Sequence, residues 1–198
     1  MKGLFVLRKE EVSVKEFISF WSNLYHDGLV NDNSFEQKYS EKINNKLFSK
    51  DDILNLYTWK NTQKLSQKKL TGPFLKQVIK KLSIINKLKN KFDDADFEEQ
   101  FGDFSDRPIW FIFLKHIIQP ETFPIFDQHM YRSFRFIQNG VIEELSQNNN
   151  VVEIYEKEYV PFFKNIIFSN EKKIDEALFT FGKFIKDDAS YWKAARRI

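Results

Sequence analysis

The chain of 198 residues contains no cysteine, which excludes a disulfide, a thiolate nucleophile, an iron–sulfur cluster and a Cys-ligated zinc. Glycine (6) and proline (5) are scarce, so few breakers interrupt the chain and long stretches can stay helical. No apolar run approaches the ~20 residues needed to cross a bilayer. The opening MKGLFVLRKEE returns to charge after a few apolar residues, too soon even for a signal peptide. The expectation is a soluble, cytoplasmic protein without membrane contact. P-loop, GxGxxG, GxSxG and HExxH patterns are missing as well, and no cofactor or metal is expected.

Aromatic residues are plentiful: 22 Phe, 7 Tyr and 4 Trp in a chain whose hydrophobic share, 42%, is otherwise ordinary for a globular protein. The net charge of +3 hides a strong segregation. Residues 60 to 91 hold ten lysines and no acid, and FDDADFEEQFGDFSD then places seven acids between 92 and 106. A local basic block on a nearly neutral chain is either an electrostatic footprint for phosphate or a solvated face of amphipathic helices. The acidic residues of 93 to 99 read as a solvated face.

Hydrophobic periodicity predicts helices throughout. Ser13-Val14-Lys15-Glu16 is a capping-box pattern ahead of Phe17, Ile18, Trp21, Leu24 and Tyr25. After the link HDGLVNDNS a weaker helix is expected near 35 to 45. Ser49 to Asp52 caps a third helix ending near Trp59. Phe74, Leu75, Val78, Ile79, Leu82, Ile85 and Leu88 predict one long helix to about residue 90. The acidic segment gives a short helix and a turn, and residues 106 to 118 form a buried helix, with a buried strand as the rival reading. ETFPIF is an extended connector, because residues before proline avoid the helical region. A helix from Asp127 stops at Asn139-Gly140. A short helix to about Ser146 and two helices at roughly 151 to 168 and 171 to 186 follow, before the basic, aromatic end ASYWKAARRI. The fold class is all-α.

One constellation carries chemistry. Asp127 opens a helix behind a connector held by Pro120 and Pro124, with His129 and Arg132 in the next turn and a half. An N-cap role alone explains an Asp there, since it satisfies free helix amides and gains from the macrodipole. The alternative is a carboxylate aimed into a cleft. His116, His129 and Asp127 lack the spacing of a metal site.

Asp127-Gln128-His129-Met130-Tyr131-Arg132 resembles the D-[ST]-H-[VI]-x-R stretch of helix-hairpin-helix DNA glycosylases, the endonuclease III-like superfamily. The order of elements is also similar over roughly residues 101 to 137: the turn GDFSDRP, the helix IWFIFLKHII, the linker QPETFPIF, then DQHMYR. The resemblance implies two helical lobes flanking a cleft. Residues 27–122 would form one lobe, with the basic segment and a degenerate hairpin. Residues 1–26 and 123–198 would form the other, with Asp127 at the seam. Phe101-Gly102-Asp103-Phe104-Ser105 departs from the family's L-P-G-V-G hairpin. Arg107, Pro108 and Ile109 stand where bifunctional members carry a Schiff-base lysine, so a lyase step by that route is not expected.

The activity implied is monofunctional hydrolysis of the N-glycosidic bond of a damaged or modified base flipped out of double-stranded DNA. Positive charge develops on the sugar in that reaction, and a fixed carboxylate such as Asp127 stabilises it. A flipped base needs aromatic walls, for which Tyr57, Trp59, Trp110 and Phe126 are candidates; core packing is the alternative for each. His129 would donate to a phosphate or serve the helix cap. Arg132 would contact DNA or pair with an acid. Lys60, Lys64, Lys68, Lys69 and Arg107 are candidate DNA contacts. Two other classes stay open: a non-catalytic helical nucleic-acid-binding module, and a helical protein-interaction domain.

Overall fold

A computed structural model describes residues 12–25, 33–61, 66–70, 72–104, 106–146 and 150–187. These residues are helical with no strand among them, and no helix is long and apolar enough to cross a membrane. The N-terminal run MKGLFVLRKEE, most of the link HDGLVNDNS, Lys64 and the end ASYWKAARRI lie outside the described residues.

The helices begin where local chemistry sets them. Helix α1 (Val14–Leu24) starts at the predicted capping box, with Ser13 and Glu16 each accepting from the other's backbone amide. After α2 (Asn33–Ile43), helix α3 (Lys50–Lys60) repeats the device with Ser49 and Asp52. Short α4 (Gln67–Leu70) and α5 (Pro73–Lys80) follow, then α6 (Leu82–Asn90). The single long helix expected here is thus broken at Lys81, whose backbone (φ −94°, ψ 19°) leaves the helical region. The break lets two apolar sets face different neighbours. Phe74 meets Tyr57, Phe104 and Trp110, while α6 packs on α8.

The acidic segment forms α7 (Asp94–Phe101) and a 3-10 turn (Gly102–Phe104), which lead into α8 (Pro108–Ile118), a helix and not the rival strand. Helix α8 is buried along nearly its whole length. Its Lys115, only 1% exposed, is held by Asp94, Glu98 and Glu156. Two acids of the 93 to 99 run therefore neutralise a buried ammonium rather than simply facing water, because an unpaired charge there would cost several kcal/mol (roughly 3–5).

The connector delivers the chain to α9 (Gln128–Asn139), which ends on Gly140 at φ 64°, the left-handed position where glycine is favoured. Residues 141–146 are not the short helix expected. They lie along α9, with Glu143 accepting from Tyr131, Glu144 from Arg132, and the Leu145 amide donating to Gln128. Those contacts outweigh the weak tendency of so short a segment to coil.

Helix α10 (Val151–Ile154), a π turn (Tyr155–Tyr159) and α11 (Val160–Lys164) form one continuous rod, ending short of residue 168. Pro161 has no N–H for the helical ladder and its ring crowds the preceding turn; the Val160 amide reaches back five residues to Tyr155, widening that turn. Finally α12 (Glu171–Asp187) packs against both α1 and α9. It comes so close to α9 that a Cβ on Gly182 would stand 2.0 Å from the His129 carbonyl oxygen. Buried side chains from Ile18 to Leu178 form one continuous core.

Candidate functional site

Asp127 sits in extended backbone (φ −161°, ψ −171°) as the N-cap of α9. Its Oδ1 accepts from the amides of His129 (2.8 Å) and Met130 (3.2 Å). Its Oδ2 accepts from the Lys60 ammonium at 3.1 Å, a contact between α9 and the last residue of α3. The Asp127 side chain keeps 22% exposure and that of Lys60 7%. Burial acts to raise the Asp127 pKa, but the Lys60 ammonium, His129 and the Met130 amide outweigh it and hold the carboxyl below its ordinary value. The group is a fixed anion at neutral pH. Such a carboxylate suits stabilisation of developing positive charge better than proton abstraction, because its lowered basicity weakens it as a base.

The neighbours of Asp127 divide sharply. His129 is half-buried, with its ring on Phe179 at 4.9 Å. Its Nδ1 lies 3.2 Å from the Arg132 guanidinium, which can only donate, so the neutral ring carries its proton on Nε2. Burial lowers the His129 pKa; Asp127 opposes that, and Arg132, Lys186 and Lys183 add to it. Arg132 itself has no exposed surface. It grips Glu144 with Nε and Nη2 and donates to the Gly182 carbonyl at 2.7 Å, stitching α9 to α12. Its place is that of a structural pair with an acid, and DNA contact is corrected: no face of the guanidinium reaches solvent.

The aromatic candidates also separate. Tyr57 and Phe126 are buried and are corrected as pocket walls; Tyr57 donates to the Trp110 carbonyl, and Phe126 packs on Tyr155 and Tyr159. Trp59 and Trp110 are half-buried. The Trp59 indole donates to Glu36 at 2.8 Å while its ring lies 4.2 Å from that of Tyr39, which leaves it largely committed. Trp110 is better placed. The Lys69 ammonium lies 5.8 Å from its ring and donates to Asn61, the residue after Lys60. Asn61, Lys69 and Trp110 thus form a connected cationic and aromatic patch. Lys68 and Arg107 are exposed, Arg107 beside Asp106 at 3.8 Å. Lys64 lies outside the described residues. Of the basic block, Lys81 and Lys89 spend their charge on backbone carbonyls within the chain, and Lys87 pairs with Asp96.

Several residues of this region carry no sequence signature. Glu36 accepts from Tyr25 (2.5 Å), Trp59 and Lys172 (2.7 Å), joining α2 to α3, α12 and the end of α1. His116 is buried. Its Nδ1 must donate to the Phe123 carbonyl, an acceptor only, so Nε2 accepts from the Tyr39 hydroxyl, both at 2.7 Å. Burial brings its pKa down to about 4. Asp175, on the α12 face with Ile174 and Leu178, is buried, and its Oδ1 has no hydrogen-bond partner. No group of three or more potential ligands able to hold a metal occurs among the described residues. No protein-family model, curated protein or solved structure matches the chain.

Proposed function

We propose that the chain is a monofunctional DNA N-glycosylase with two helical lobes, residues 27–122 and residues 1–26 with 123–198, and with Asp127 at their seam. The observation that carries this reading is a partly exposed carboxylate, preset on helix amides and paired with a lysine from the other side of the connector. The packing of α1 on α12 and of α12 on α9 supports grouping the N-terminal helix with the segment after the connector.

In the reaction the bond from the sugar to a flipped base breaks and its electron pair leaves with the base. Asp127 stabilises the oxocarbenium-like sugar. Water adds to the anomeric carbon and its proton goes to solvent or to the departing base. Lys69 beside Trp110 fits the phosphate and stacking contacts such a substrate requires.

The test uses duplex DNA containing a panel of damaged and modified bases. Abasic sites are expected with at least one of them, and Asp127→Asn is expected to abolish them while DNA affinity persists. DNA binding with no abasic product from any substrate overturns the reading in favour of a non-catalytic nucleic-acid-binding module. One observation favours that second reading: both Asp127 oxygens already have partners within the chain, so stability alone explains their placement. Failure to bind DNA at low salt points to a protein-interaction domain.

A further inference from the structure

The face of α12 on which His129 rests is basic, and its charge is not matched within the fold. The His129 ring lies on Phe179 at 4.9 Å, and its carbonyl oxygen stands against Gly182. Lys183 and Lys186 follow Phe179 by four and seven positions, so all three share one side of the helix. The charges of both lysines reach the His129 ring. Lys186 is exposed and Lys183 half-buried, and neither has an ion pair among the described residues.

His129 adds a fixed donor to these two cations. Arg132, fully buried and held by Glu144 and the Gly182 carbonyl, occupies Nδ1 and leaves the proton of the neutral ring on Nε2. That N–H has no hydrogen-bond partner among the described residues. It is also not one of the buried side-chain atoms that lack a partner, so it opens to solvent.

Chemistry defines the occupant. One N–H and two unmatched ammonium groups call for an anion. A carboxylate holds its two oxygens in one plane, whereas a phosphate group spreads its oxygens tetrahedrally, within reach of donors on a ring and on a helix together. Asp127, whose charge also reaches His129, is already matched by Lys60 and the amides of α9 and does not fill that role.

We propose that His129, Lys183 and Lys186 form a phosphate-binding site, with Arg132 as the positioning residue that keeps Nε2–H turned outward. That the phosphate belongs to a DNA backbone rests on the glycosylase reading; the site itself does not.

The ring nitrogen signals of His129 in the full chain read the site directly. Their chemical shifts are expected to show the Nε2–H tautomer at neutral pH; the Nδ1–H tautomer overturns the role given to Arg132. A short DNA duplex at about 50 mM salt is then titrated, and inorganic phosphate separately at the same ionic strength. The duplex is expected to move the Nε2 signal saturably. A saturable shift with inorganic phosphate and none with duplex would uphold the site for the free ion and fail the DNA reading, and no shift with either overturns the proposal. Lys183→Ala combined with Lys186→Ala is expected to weaken binding about tenfold, the loss of charge-assisted contacts. His129→Gln retains a side-chain N–H and is expected to bind as the wild type does, whereas His129→Leu loses about tenfold. Should His129→Leu not fold, the double lysine variant, altered outside the core, carries the test, and unchanged affinity in it overturns the proposal. Asp127→Asn is expected to keep the duplex-induced shift, which holds this test apart from the abasic-site assay.

Discussion

At the residue scale, three titratable groups, the buried His116 and Asp175 and the partly exposed Asp127, give the protein an opposed pH response. The folded pKa of His116, about 4, lies below its unfolded value near 6.5, so the unfolded chain binds the proton first. Stability from this group is complete above pH ~6.5 and falls as the pH drops toward 4, by about 3 kcal/mol over that span. Asp127 is also depressed; its contribution is present above the unfolded carboxylate value and is lost as the pH falls through the lower folded one. Asp175 has the reverse sign. Its raised folded pKa means that the unfolded chain ionises first, so stability is lost as the pH rises above ~4. Asp175→Asn is therefore expected to raise the urea midpoint at pH 7 and to leave it nearly unchanged at pH 3.5. An equal gain at both values would assign the effect to packing instead of to the proton.

At the scale of elements, the junction of α9 and α12 sets where Asp127 points. Gly182 permits the close approach, Arg132 donates across it to the Gly182 carbonyl, and Ser133 donates to the Leu178 carbonyl. Gly182→Ala puts a methyl group into the His129 backbone, so the helices must separate. A loss of roughly 3 kcal/mol in urea unfolding is expected, despite the better helix propensity of alanine. Alanine accepted without loss would show that the two helices do not meet at this distance.

The sequence announces elements better than it announces such junctions. Capping boxes at Ser13 and Ser49, the stop at Gly140 and the apolar period of α8 are local signals, and each forms the element it predicts. The break at Lys81, the uncoiled 141–146 segment and the π turn before Pro161 depend on what lies across the fold, which periodicity does not record. The same holds for the candidate site. Asp127 and its cap are readable from DQHMYR behind two prolines, whereas the pairing of Lys60 with Asp127 spans 67 residues and has no local mark. Glu36 is equally silent, whereas the acid on the buried face of α12 and the glycine inside it interrupt the apolar pattern of residues 171 to 187.

For the whole molecule, charge is used twice, and the two uses respond differently to salt. One set of cations is committed within the chain: Lys115 to three carboxylates, Lys172 to Glu36 and Glu176, and Lys60 to Asp127. Another set, including Lys68, Lys76 and Lys80, is exposed along the basic block. If that block meets the phosphates of a duplex, each lysine in contact releases a counterion, and the logarithm of the binding constant falls against the logarithm of salt by about 0.9 per contact. The triple variant Lys68→Ala, Lys76→Ala, Lys80→Ala is then expected to flatten that slope by up to about 2.7 while leaving the urea midpoint within experimental error. Lys157→Ala, which removes a cation exposed and paired with Glu153, is expected to leave the slope as it was. Fluorescence anisotropy of one labelled duplex from 50 to 200 mM salt measures all three proteins together. Equal slopes for the wild type and the triple variant would remove these lysines from the DNA-binding face, and the cationic contacts would have to be sought at Lys69 and Arg107.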